Sequence, residues 1–144
     1  MTPQHCRVKH EPPLTYGDCL RACVATVMDK QPEHVPHFAD DGASGDIAMA
    51  RLRDWLASEE LAPFITAYPG DIALADLLDM MRTMNPASTY ILFGNTATSP
   101  GAGGGDHCVV CQGGEVVHNP AWYGSSLVGP CSQGWWQVLV VGRV

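Results

Sequence analysis

Cys19 follows Gly17-Asp18 at the head of a segment with helical patterning, Cys19-Leu-Arg-Ala-Cys-Val-Ala-Thr-Val-Met-Asp29. The first turn of a helix carries unpaired N–H groups and partial positive charge, which favour a thiolate over a thiol. Asp18 works partly against this, because a carboxylate disfavours a second anion beside it. A nucleophilic sulfur also needs a base, and the base needs a group to orient it. His107 opens one apolar segment and Asn119 closes the next, so a tight hairpin would bring imidazole and amide together. Cys19, His107 and Asn119 are therefore expected to form the Cys–His–Asn triad of a thiol hydrolase.

Other residues compete for these roles. Six cysteines are present, and a free cysteine is more often a small buried hydrophobe than a nucleophile. Cys23 lies one turn after Cys19 and reads as packing. Cys108 and Cys111 are three apart on an expected strand, where they point to opposite faces and make poor co-ligands for one metal. Cys6 and Cys131 show no role. His118 is the alternative base, adjacent to Asn119, while His5, His10, His34 and His37 fall in Pro-rich loops and read as surface residues. Asn119 before Pro120 also suits a simple turn.

The elements that must hold these groups follow from periodicity and from breakers. Leu20, Cys23, Val24 and Val27 share one helical face, with Asp18 as N-cap. Pro32 and Pro36 end that helix. A second helix is expected over 47–58, capped by Asp46, with Leu52, Trp55 and Leu56 on one side. After a short strand near 64–67, a third helix over 72–84 presents Leu74, Leu77, Leu78 and Met81. Strands are expected at 89–93, 107–112, 115–118 and 135–141. The glycine-rich 101–105 lacks the ending of a phosphate-binding loop and reads as a mobile flap beside the site. Trp122, Trp135 and Trp136 suit either a core or a substrate groove. Helices first and an antiparallel sheet after them make an α+β arrangement.

Register decides whether the triad can form. A two-residue turn at Gly113-Gly114 pairs Gln112 with Glu115 and puts His107 opposite Pro120, so that Asn119 points away. A three-residue loop, 112–114, sets His107 opposite Asn119 and asks Gly114 for a left-handed conformation. The second arrangement is expected, with a bulge near Gly114 and His107 within hydrogen-bonding reach of Asn119.

A chain of 144 residues with 46% hydrophobic content is of single-domain size and can build a core, so one domain, 1–144, is expected. Eight basic and fifteen acidic residues leave a charge of −7, which argues against a nucleic-acid partner. No apolar run is long enough to span a membrane, and residues 1–13 are polar, so the expected compartment is the cytoplasm.

Gly17-Asp18-Cys19-Leu20-Arg21-Ala22-Cys23-Val24-Ala25-Thr26, followed by Val35-Pro36-His37-Phe38, resembles the opening of small bacterial and phage proteins of the papain-like cysteine peptidase fold. These are similar to the bacteriocin-processing peptidases. His107-Cys108-Val109-Val110 matches that family's histidine strand, and His118-Asn119-Pro120 its Asn-Pro element. Residues 39–90 match only as generic helices. The resemblance implies a papain-like fold, with N-terminal helices on a C-terminal antiparallel sheet, and a cysteine peptidase or isopeptidase-like amidase working through an acyl-enzyme. It implies a peptide or protein substrate and no cofactor or metal. The broader fold places an oxyanion-binding glutamine shortly before the cysteine. Here Gln4 is the upstream glutamine, able to serve if residues 1–13 fold back beside the helix. The alternatives are a catalytically inactive papain-like binding protein and, behind it, a Cys/His metal-binding module.

Overall fold

A computed structural model of the chain describes residues 1–96, 105–122 and 126–144. Helix α1 (Cys19–Val27) begins directly after Asp18, as its apolar spacing predicts, and is followed by a 3₁₀ turn (Pro32–His34) that Pro32 opens. Helix α2 (Gly45–Ser58) has Ser44 at its N-cap position, with Asp46 inside the first turn instead of capping it. Strand β1 (Leu61–Pro69) leads to α3 (Leu74–Met84), then to β2 (Thr89–Asn95), β3 (Asp106–Gln112), β4 (Glu115–His118) and β5 (Trp135–Arg143). The expected flap, 101–105, lies outside the described residues except for Gly105.

The five strands form one antiparallel sheet in the order β1-β5-β2-β3-β4. This is an α+β fold, but its helices do not all precede its sheet. β1 comes before α3 and pairs with the far end of the chain, from Leu61 opposite Arg143 to Pro69 opposite Trp135. β1 is longer than the short strand expected near 64–67 and takes in Pro63 and Pro69, which an edge strand tolerates because one row of its backbone groups faces no neighbour.

Alternation along the central strands divides the interior in two. Ile91, Cys108, Val110 and Leu139 face Cys23, Val24, Leu52 and Leu56 of α1 and α2. Leu92, Val109, Cys111 and Val138 pack with Leu77 and Met81 of α3 and with Trp136, whose indole N–H donates to the Ile72 carbonyl at 2.9 Å. Cys108 and Cys111 thus occupy opposite faces. No described helix is long and apolar enough to cross a membrane.

The β3–β4 hairpin corrects the expected loop. Gln112 pairs with Glu115, so the turn has two residues, and the positive φ of 55° belongs to Gly113 instead of Gly114. Both turn carbonyls are held from outside. The Tyr90 hydroxyl donates to the Gly113 carbonyl at 2.7 Å, and Arg82 donates to the Gly114 carbonyl at 2.9 Å. A Cβ on Gly113 would stand 2.6 Å from the Pro86 carbonyl oxygen, so the turn also demands its glycine. Further along, Cys111 pairs with Val116 but Val110 pairs with His118. Val117 is the extra residue of a β-bulge, and it shifts the parity of everything after it. Continued from Val110–His118, the register returns Asn119 to the face of His107.

Candidate active site

The N-terminal segment folds back across α1 and across the open end of the hairpin. The Gln4 backbone N–H donates to Thr26 Oγ1 and the Cys6 N–H to the Pro120 carbonyl, each at 2.9 Å. His118, buried and turned away from His107, donates from Nε2 to the Gln4 carbonyl at 2.6 Å. Asp18 anchors the rest. Its carboxylate, 1% exposed, accepts the backbone N–H groups of Arg7 and Val8 at 3.0 Å and the Arg21 guanidinium at 2.7 Å. Burial alone would raise its pKa, but the Val8 N–H, Arg21 and the Arg7 N–H outweigh burial and hold the carboxyl below the usual range. Asp18 is therefore not the side-chain cap its position suggests. Its charge is paired with Arg21, which offsets the repulsion expected against an anion at Cys19.

With both ends held, the three chemical groups converge. His107 Nε2 lies 2.8 Å from Asn119 Oδ1, and the Asn119 oxygen also accepts the Ala121 N–H at 3.1 Å. As donor to the amide, Nε2 carries the proton, which leaves Nδ1 as the basic ring nitrogen. Cys19 and His107 are hydrogen-bonded side chain to side chain. Burial disfavours the imidazolium, yet the hydrogen bond and the charge of Cys19, followed by the hydrogen bond to Asn119, more than offset it and raise the His107 pKa. At Cys19 the balance runs the other way. A hydrogen bond with the Cys108 thiol and then burial push its thiol well up, while His107 pulls it down. Burial and the Cys108 thiol thus work against the thiolate that the helix start alone would favour, and His107 works for it.

Cys19 and His107 open into a cavity of about 250 Å³. Its wall is largely apolar, with Phe38, Ala48, Met49, Ile65 and Phe93, and Asp46 and Asp106 contribute carboxylates. Asp106 is committed to Ser132, accepting its N–H at 2.8 Å and its hydroxyl at 2.7 Å. Gln4 does not line this cavity. The N-terminus does fold back, but the Gln4 side-chain amide donates to the Thr2 carbonyl at 3.3 Å, away from Cys19. The glutamines that do line the cavity are Gln133, just before β5, and Gln137, within it. Nothing in their spacing pointed to them. His37, read from sequence as a surface residue, also lines the cavity, with Nε2 2.7 Å from the Tyr16 carbonyl. Trp136 is core, while Trp122 and Trp135 are exposed and none of the three reaches the cavity.

Among the described residues no group of three His, Cys, Asp or Glu side chains is arranged to hold a metal ion. No family model, curated protein or solved structure matches the chain.

Proposed function

We propose that this chain is a thiol hydrolase of the papain-like kind, cutting a peptide, isopeptide or related amide bond through an acyl-enzyme. The observation that carries the reading is the chain of hydrogen bonds from Cys19 to His107 to Asn119, closed at 2.8 Å on the amide. In the first step His107 Nδ1 takes the thiol proton as the Cys19 sulfur attacks the carbonyl carbon. The imidazolium then protonates the leaving amine. Water, deprotonated by the same ring, attacks the thioester and frees the acid. Asn119 holds the imidazole in the tautomer that keeps Nδ1 basic. The oxyanion would be met by the Cys19 backbone N–H at the helix start and by Gln133 or Gln137, whose amides supply donors of the required kind.

An apolar cavity with acidic residues, in a chain of charge −7, suits a peptide or protein substrate better than a nucleic acid. Six cysteines that stand as free thiols suit a reducing compartment such as the cytoplasm. A second reading, a papain-like binding protein without turnover, draws support from the raised Cys19 thiol and the misdirected Gln4 amide. A panel of fluorogenic acyl-amide and ubiquitin-like substrates, with Cys19→Ala as control, separates the two. Turnover that vanishes in the variant supports the hydrolase. Binding of panel members without turnover or Cys19 acylation leaves the binding protein.

A further inference from the structure

Cys108 is a nucleophile that the hydrolytic mechanism does not use. It follows the catalytic histidine directly in sequence, is 1% exposed, and lines the same cavity as Cys19. Its thiol is hydrogen-bonded to the Cys19 thiol, so the two sulfurs are already neighbours across the α1–β3 contact. The remaining cysteines are placed differently. Cys6 and Cys23 do not line the cavity. The Cys23 thiol donates to the Cys108 carbonyl at 3.5 Å and also touches the Cys108 thiol, but from the buried side, away from an entering oxidant. Cys111 is on the other face of the sheet. Cys131 lines the cavity but packs in neither core.

We propose that Cys19 and Cys108 form a peroxide-sensitive pair, in which Cys108 resolves oxidised Cys19 to a reversible disulfide and so guards the nucleophile against over-oxidation. The inference rests on Cys19 being the reactive sulfur of the proposed function. A small hydroperoxide enters the cavity, and the Cys19 sulfur, its proton taken by His107, attacks the nearer peroxide oxygen. The O–O bond breaks, the departing oxygen leaves as water or alcohol with the histidine's proton, and Cys19 becomes a sulfenic acid. The Cys108 sulfur then attacks the Cys19 sulfur, and the S–O bond breaks. The hydroxyl leaves as water with the Cys108 proton. Two thiols have lost two electrons and two protons, and the peroxide has gained them. The sulfurs close from hydrogen-bond contact to ~2.05 Å. A dithiol reductant reverses the change by thiol exchange.

The test treats the intact chain with hydrogen peroxide, with and without dimedone to trap sulfenic acid, followed by peptide mapping. The expected product is a Cys19–Cys108 disulfide, with little dimedone adduct and with iodoacetamide labelling of Cys19 restored by dithiothreitol. In Cys108→Ser, and in Cys108→Ala should the serine variant fold poorly, dimedone should trap Cys19 and excess peroxide should carry it to the sulfinic acid. Equal dimedone trapping in the wild type and in these variants overturns the proposal, as does a Cys19–Cys131 disulfide, or a Cys23–Cys108 disulfide in place of Cys19–Cys108. If the disulfide forms but no amide substrate is turned over, the pair stands and the hydrolase reading falls. If Cys19 resists both iodoacetamide and peroxide, both fall together.

Discussion

The two ends of the β3–β4 hairpin are built in contrasting ways. At the closed end, Gly113 and Gly114 turn tightly, and Tyr90 and Arg82 from nearby elements hold the turn carbonyls. At the open end the Asn119 side chain bonds His107 and the Ala121 N–H, but the backbone around it needs support from further away. It is held by segments distant in sequence, through Gln4 on His118, Cys6 on Pro120, and Asp18 gathering Arg7 and Val8 onto the start of α1. The closed end carries no chemistry, while the open end carries His107 and Asn119. A site assembled from segments far apart in sequence can bring together groups that no single turn could align. Its geometry then depends on contacts that have no local sequence signal.

The largest effect should come from the two histidines, which stand on facing strands with different tasks. Replacing His107 by Ala removes the base and should slow acylation of Cys19 by about 10²–10⁴-fold. His118→Ala instead strips a buried donor from the Gln4 carbonyl. It should cost about 1–3 kcal/mol in urea denaturation while largely sparing Cys19 reactivity. The reverse order of the two variants in an alkylation assay would transfer the catalytic role to His118.

Next in size is the bulge between the two ends. Inserting one valine after Val117 leaves the two-residue turn and the one-residue bulge intact but changes the parity of the residues after it, which turns Asn119 from the face of His107. Cys19 acylation in this variant should fall to the level of Asn119→Ala, even though Asn119 is still present. Retention of full rate would show that Asn119 does not orient the imidazole.

These contrasts also mark what could be read from the sequence. The start of α1 at Cys19 and the apolar faces of α1 and α3 were legible, because periodicity of 3.6 and the placement of Gly, Asp and Pro are local signals. The two glycines located the turn, but its length depends on Tyr90 and Arg82, which lie far from it in sequence. Val117 gives no hint of a bulge, being a good strand residue flanked by others. His107 and Asn119 nevertheless meet, because the two-residue turn and the displacement of the bulge from Gly114 to Val117 cancel in parity. Gln4 shows the converse: its backbone goes where the resemblance asked, but its side chain does not. The role of Asp18 was missed because a residue before a helix reads as a cap whatever else it binds.

Asp18 gives a smaller, pH-dependent effect. Its folded pKa lies below the unfolded value of ~3.9, so its contribution to stability is fully present above about pH 4 and is lost as pH falls through the folded pKa. Asp18→Asn keeps one acceptor but loses the charge paired with Arg21. It should be less stable at pH 7 by about 1.5–3 kcal/mol, with the gap to wild type closing at lower pH. Denaturation midpoints measured from pH 7 down to the acid transition test this. A gap that stays constant throughout would mean that the charge of Asp18 does not anchor the N-terminal segment.

The smallest effect, and the one that isolates the setting of the nucleophile, concerns Cys108. Its hydrogen bond is the largest influence holding the Cys19 thiol up, ahead of burial, and His107 acts in the opposite sense. Cys108→Ala removes that influence and leaves burial and His107 in place, so the Cys19 pKa should fall. With the thiol protonated at neutral pH, each pH unit by which the profile moves down yields about tenfold more thiolate. Thiolate nucleophilicity drops only by a fraction of this as its pKa falls, so the net rate at pH 7 should rise several-fold. Iodoacetamide rate constants for Cys19, followed from pH 6 to pH 10 by peptide mapping, should therefore climb at lower pH in Cys108→Ala than in the wild type. Cys111→Ala is the matched control. It removes a buried thiol from the same strand but on the α3 face, where its neighbour is Tyr90, and should leave the Cys19 profile in place. Two variants with indistinguishable profiles would mean that the Cys19–Cys108 contact does not set the state of the nucleophile, and that burial alone keeps it protonated.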